Sequence, residues 1–316
     1  MTKPFQSRWA AQLESFVKFK HALGHAYLRP IEALRSFDRF AASSPWKRSS
    51  DFPVVFRDWL NQSSDRKAIT VRFYLGAMRQ FCLFRRRNDP DAFVPECSWA
   101  GPYHRSHFLP YIFAPKDIHG IIVVISQLRL NPRDRRRFRL LFIVLYCTGL
   151  RLGEALGIRH RDLNLRNGSF RIGPSKGRIR WVPFRRDLGR ELRTFLDRDC
   201  PDRNPDGFIF SKDNGSRRRV SPTSTIFCGV FRRCGLKPAA GRIGPRVHDL
   251  RHSMAVHCLQ RWYHQGRDVP RMLPWLSAYL GHRDLLGTER YLHATPELLA
   301  IASRRFQQEF CRDPTP

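Results

Sequence analysis

Acidic side chains are scarce in this 316-residue sequence: 27 Asp and Glu stand against 57 Lys and Arg, a formal net charge of +30 at neutral pH. Such an excess excludes a cationic partner surface and requires a polyanion. Long apolar runs are also missing. The longest, Leu140 to Cys147, falls far short of the roughly 20 residues that a membrane-spanning helix needs, so spanning is excluded. Residues Met1 to Ala26 interleave Arg8, Glu14, Lys18 and Lys20 with apolar positions and contain no secretory h-region with a cleavage site; the expected location is the cytoplasm. The eight cysteines (Cys82, Cys97, Cys147, Cys200, Cys228, Cys234, Cys258, Cys311) form no CxxC. That excludes a compact disulfide framework and predicts free thiols, mostly buried. Repeats and low-complexity tracts are absent, apart from short arginine runs at Arg135 to Arg137 and Arg217 to Arg219. Lysine is rare: only nine of the 57 basic residues, which leaves 48 arginines. The guanidinium fork suits bidentate phosphate contacts. In so arginine-rich a chain, however, a motif lysine carries more weight than a motif arginine.

What is present suffices for a packed core. Hydrophobic residues are 42% and aromatics 12%, with 24 Phe and 7 Trp, which suits a folded chain of two domains rather than a solvated basic tail. Apolar residues recur at three and four over Phe5 to Leu28, Ile31 to Ala42, Phe52 to Leu60 and Ala68 to Arg87, which predicts four helices with breaks at Pro30, Ser43 to Pro45 and Ser63 to Asp65. In the last of them Val71, Tyr74, Met78, Phe81 and Phe84 form one stripe. Arg72, Arg79 and Arg86, seven apart, form another and are candidate contacts to the phosphates of a polyanion. The periodicity fails among Pro90, Pro95, Pro102 and Pro110. The expected division is therefore a helical domain over residues 1–88, a linker over 89–112 and a second domain over 113–316.

The second domain reads as mainly α with a small antiparallel β-sheet, an α+β class. Helices are expected near Lys116 to Leu128, Arg135 to Cys147, Asp187 to Leu196, Pro222 to Cys234, Asp249 to Tyr263, Pro270 to Leu280 and Glu297 to Phe310. Strands are expected at Asp162 to Leu165, Ser169 to Ile172 and Arg178 to Phe184, the last two flanking a Gly-Pro-Ser-Lys-Gly turn that carries Lys176. Arg133, Arg135, Arg136 and Arg137 crowd the start of one helix, where the macrodipole disfavours cations; a nearby anion is expected.

Five features occur in order: Thr148-Gly-Leu-Arg-Leu-Gly-Glu154, the turn lysine, His248-Asp-Leu-Arg-His252, Leu280-Gly-His282, and Tyr291 nine residues after that histidine. Over Phe113 to Ala294 the chain resembles the tyrosine recombinases, the phage integrase-like family. The resemblance implies that Arg151 and Arg251 are catalytic arginines, Lys176 the lysine of the strand turn, His248 and His282 the active-site histidines and Tyr291 the nucleophile. It also implies an N-terminal core-binding domain before an integrase-like catalytic domain, and site-specific cutting and rejoining of double-stranded DNA through a 3′-phosphotyrosine. Synapsis by a homo-tetramer and docking of the segment after Thr295 on a neighbour follow in the same way. One departure stands out: the stretch from Arg251 to His282 is longer than the family's usual connection by a turn or two of helix.

The residue types suit this chemistry on their own terms. Metal-free cleavage of a phosphodiester needs a nucleophile, cations for the non-bridging oxygens and an acid for the departing 5′-oxygen. A phenol of reference pKa near 10 serves as nucleophile when cations favour phenolate; guanidinium groups supply fixed charge, and an ammonium can release its proton where arginine cannot. His248, next to Arg251 on a helix face, fits a base or positioning group. Glu154, His252 and His293 read as structural. His248 and His252 at i and i+4 mimic a zinc pair, but the intervening arginine opposes a dication and no third ligand is marked, so neither a metal nor another cofactor is expected. The rivals are a non-catalytic DNA-binding accessory factor and a type IB topoisomerase-like relaxation activity.

Overall fold

The computed structural model describes residues 4–45, 48–62, 68–100, 110–175, 178–201, 204–241, 243–282, 284, 286–289, 300, 303, 304 and 307. Contacts divide the chain into two units, Met1–His107 and Phe108–Pro316.

In the first unit, helices α1 (Ala10–Ala22), α2 (Leu28–Ser43), α3 (Phe52–Asn61) and α4 (Ala68–Arg85) enclose a core rich in aromatic rings. Trp9 meets Phe52 edge-on with ring centroids 5.1 Å apart, and Phe16 lies 5.6 Å from Phe81. Trp59 stacks on Tyr74 at 5.8 Å. Such pairs add orientation-dependent attraction to the apolar burial. The carboxylate of buried Asp38 on α2 accepts from the amides of Gln6 and Ser7 at 2.8 and 2.9 Å, which ties the start of the chain to the bundle. The expected break at Pro30 lies elsewhere. α1 ends before Gly24 (φ +78°) and left-handed Tyr27 (φ +48°), and Pro30 sits in the first turn of α2, where a missing N–H costs no helical hydrogen bond.

In the second unit the order is α5 (Pro115–Ser126), α6 (Pro132–Thr148), α7 (Leu152–Ala155), β1 (Leu163–Asn164), β2 (Ser169–Ser175), β3 (Arg178–Pro183), α8 (Arg186–Asp199), α9 (Val220–Arg233), α10 (Asp249–His264), α11 (Val269–Leu280) and α12 (Leu286–Glu289). The sheet is antiparallel in the order β1-β2-β3, with Phe170 opposite Val182 and Ile172 opposite Arg180. Phe138, Leu141, Phe142 and Leu145 of α6 are buried with Phe170 and Val182 of the sheet, Leu192 of α8, Phe227 of α9 and Leu250 of α10. Val256 and Leu259 continue the α10 stripe into a second cluster with Leu273 and Leu276 of α11. On the outer face of β3 Trp181 stays 57% exposed, and Trp275 on α11 is 73% exposed. The described cysteines are all free thiols. Among the described residues no helix is long and apolar enough to cross a membrane.

Helix α6 begins earlier than its apolar periodicity suggested. Asn131 caps it by accepting from the Asp134 amide at 2.7 Å, with Pro132 in the first turn. The anions expected beside its arginines are the protein's own: Asp199 bonds Arg136, while Asp134 and Asp213 bond Arg137 at 2.8 and 2.5 Å. These carboxylates come from the first turn of the helix itself and from segments more than 60 residues away. The positive cluster is thus absorbed locally.

Candidate active site

Two chain reversals set the geometry. Helix α6 ends at Gly149 (φ +62°), where a Cβ would stand 2.9 Å from Met254 Cε and 3.0 Å from Leu280 Cδ2. A residue other than glycine there would be both strained and blocked. The reversal delivers Arg151 to the start of α7, where the Glu154 carboxylate accepts from the Arg151 amide at 3.0 Å and from its Nη1 at 2.8 Å. Helix α11 ends at Gly281 (φ +69°), directly before His282.

The two arginines converge on that second reversal. Arg251, 2% exposed on α10, donates from Nη1 to the Gly149 carbonyl at 2.8 Å and from Nη2 to the Leu280 carbonyl at 2.6 Å. Arg151 directs Nη2 to the neighbouring Gly281 carbonyl at 3.5 Å. Residues separated by a hundred positions thus grip successive carbonyls at the foot of His282. The base of α10 is itself fixed, because buried Asp249 accepts from the Arg246 amide at 2.8 Å, and Ser253 Oγ accepts from the Phe113 amide at 2.9 Å.

Both histidines feel this charge. Burial, followed by Arg251 and Arg151, pushes His282 down to about 4. The protein crowded around His248, then Arg251 and Arg246, pushes it down to about 4 as well, although the residue as a whole is exposed. Both rings are therefore neutral at physiological pH. The ring of His252 lies edge-on to His248 at 5.0 Å, with Nε2 4.0 Å from Asp249. Among the described residues no three His, Cys, Asp or Glu side chains are grouped to hold a metal ion.

Glu154 does more than cap a helix. Its side chain is only 7% exposed and also accepts from Arg180 of β3, at 2.8 Å on Oε2 and 3.2 Å on Oε1. Burial alone would raise its pKa, but the bonds from Arg180 and Arg151 overcome it and hold the carboxyl at about 2. Arg180 also donates to the Tyr279 carbonyl at 3.2 Å, and its guanidinium occupies the space that a Cβ at Gly281 would need. Arg180 escaped the motif reading. Its signal was register: it shares a strand face with buried Val182, and an inward arginine requires a buried acid.

Lys176 and Tyr291 lie outside the described residues, as does most of the expected helix Glu297 to Phe310. Of the α4 arginines, Arg72 is exposed, while Arg79 and Arg86 donate to the carbonyls of Pro95 and Ala92 and so fasten the following segment to the helix.

Comparison with known proteins agrees with this geometry. The protein called "Putative integrase/recombinase y4rB" of Sinorhizobium fredii is 29% identical over 96% of this chain and 98% of its own length. Tyrosine recombinase XerA of Pyrococcus furiosus is 31% identical over 62% of each chain. Among solved structures, the XerH site-specific recombinase in a post-cleavage complex with difH superposes with a TM-score of 0.64 at 19% identity, covering 87% of this chain and 78% of that one. The Tn1549 transposon integrase with transposon right-end DNA gives 0.65 at 14% identity, covering 93% and 99%. The Phage integrase family profile matches residues 124–297, more than half of the chain, so this protein belongs to the phage integrase family, the tyrosine recombinases.

Proposed function

We propose that this recombinase cuts and rejoins duplex DNA at a specific site through a 3′-phosphotyrosine, with Arg151, Lys176, His248, Arg251, His282 and Tyr291 as its active site. The observation that carries the reading is the convergence of Arg151 and Arg251 on the carbonyls of Gly281 and Leu280. Two permanent cations and a neutral imidazole then face one small region, the arrangement that a phosphorane-like transition state requires.

The Tyr291 oxygen attacks phosphorus, forming the phosphotyrosyl bond as the bond to the 5′-oxygen breaks. Lys176 gives the leaving oxygen its proton, and His248 takes the phenolic proton. A phosphate placed among the arginines offsets the cationic field that depresses His248, which raises its basicity when substrate is bound. Reversal by an incoming 5′-hydroxyl rejoins the strand. The energy of the broken bond is kept in the phosphotyrosine, so this scheme uses neither metal nor ATP. The +30 charge supports duplex DNA as partner. Arg72 on α4 is proposed as a phosphate contact, with Arg79 and Arg86 beside it. Four protomers are proposed for the synaptic complex.

The test is incubation with nicked duplexes that carry the sequences flanking the native locus. A denaturation-resistant adduct with wild type, insensitive to chelator and absent with Tyr291→Phe, is the expected result. An intact wild type that binds these duplexes and forms no adduct points instead to an accessory DNA-binding factor. Adducts formed without site preference point to a topoisomerase-like enzyme.

A further inference from the structure

The turn between α11 and α12 holds a contact to which the scheme above gives no role. His282 Nδ1 lies 2.7 Å from Thr288 Oγ1, and Thr288 is 0% exposed. The approach depends on Gly287, where a Cβ would stand 3.3 Å from His282 Cγ and 3.4 Å from Nδ1. Few Cβ atoms sit that close to a ring, so the imidazole lies against bare backbone. The turn is braced from both sides. Asp284 Oδ1 accepts from the Gly287 amide at 3.0 Å, and Ser277 Oγ on α11 donates to the Asp284 carbonyl at 3.4 Å.

A buried hydroxyl proton needs an acceptor. Among the described residues the Thr288 hydroxyl has no other partner than the His282 ring. Donation therefore runs from Thr288 to Nδ1, and an imidazole that accepts at Nδ1 bears its single proton on Nε2. We propose that Thr288 is a positioning residue, whose hydroxyl holds neutral His282 in the Nε2–H tautomer so that the ring meets the scissile phosphate as a donor. This rests on the recombinase reading of His282 given above. The need for such a lock follows from the ring's surroundings: burial, with Arg251 and Arg151 adding to it, keeps the ring neutral, and a neutral imidazole donates only from the nitrogen that holds its one proton. With a hydrocarbon in place of the hydroxyl, both tautomers become available and one of them presents a lone pair to an anion.

The full chain labelled with nitrogen-15 in histidine reads the tautomer directly, with His282→Gln identifying the resonance. Wild type is expected to show a protonated Nε2 and a bare Nδ1. The isosteric Thr288→Val should show a mixture, and Thr288→Ser should restore the wild-type pattern. On nicked duplex, single-turnover adduct formation should fall about 10- to 100-fold in Thr288→Val, the scale set by hydrogen-bond partners that orient metal-ligating histidines, and stay within about threefold in Thr288→Ser. Duplex affinity should be equal in all three. A wild-type proton on Nδ1, or a Thr288→Val protein that keeps both tautomer and rate, overturns the proposal. A wild type that forms no adduct yet shows the Nε2–H signature overturns the recombinase reading and leaves the lock standing as a structural fact.

Discussion

Glu154 and Arg180, 26 residues apart, are joined by two hydrogen bonds of 2.8 and 3.2 Å, and the same carboxylate also holds Arg151. This one acid thus aligns the start of α7 with strand β3. Arg180 extends the connection to the end of α11 through the Tyr279 carbonyl.

Replacing that acid by its amide should therefore be costly at two places. Glu154→Gln keeps the shape but leaves two guanidinium groups without their counter-charge, and the expected loss is about 3 kcal/mol of stability, the scale for breaking a buried ion pair. Urea unfolding measures it. Adduct formation should fall in parallel, because Arg151 loses its anchor, while duplex affinity at low salt holds.

Gly281→Ala tests the other end of the same connection. The new Cβ would sit at φ +69° and 2.8 Å from Arg180 Nη1, so the expected cost is about 1 to 3 kcal/mol from backbone strain and displacement of Arg180. The effect should be less than additive with Arg180→Ala, because the second substitution removes the obstruction. Full additivity in chemical denaturation would argue against the contact.

Stability should fall in mild acid because of the two depressed histidines. An unfolded histidine titrates near 6.5, while His248 and His282 are held near 4 in the folded protein. Between those values the unfolded chain binds protons that the folded chain does not, so the histidine contribution to stability drops as pH falls from about 6.5 to about 4 and changes no further below, where protonation of Glu154 takes over the loss. For His282, the less exposed of the two, the expected contribution is about 1 to 3 kcal/mol. Urea midpoints measured across this range should fall less steeply in His282→Gln.

Arg72→Gln should lower affinity for every duplex alike and reduce the slope of log affinity against log salt by about one. Arg79→Gln and Arg86→Gln should also destabilise the first unit, since they release the carbonyls of Pro95 and Ala92. Loss of binding to one sequence only would contradict a phosphate role.

Much of the helical layout could be read from periodicity, because each helix buries one stripe: Val256 and Leu259 on α10 are both 0% exposed. The small antiparallel sheet could be read from alternation about a glycine turn. Partners distant in sequence could not. The arginine run announces a nearby anion, but nothing local marks Asp199 and Asp213 as the acids that neutralise Arg136 and Arg137. Pro30 was taken for a break because proline stops helices, yet it also starts them, and left-handed Tyr27 marks the true corner. In the site, His248 and Arg251 share a helix face by spacing alone. The approach of Arg151 to the Gly281 carbonyl depends on two separate chain reversals. The Thr288 contact depends on Gly287 having no side chain, a reason visible only once the ring lies against it.

The aromatic core of the first unit also equips the protein with an optical gauge. Trp9 and Trp59 are sealed at 1% and 2% exposure, whereas Trp181 and Trp275 in the second unit already face water. Trp262, half-buried against α11, is the second unit's one such probe among its described tryptophans, so a red shift of indole emission during denaturation weighs the melting of the N-terminal bundle most heavily. Comparing it with far-ultraviolet dichroism, which sees both units, separates their unfolding in a single sample.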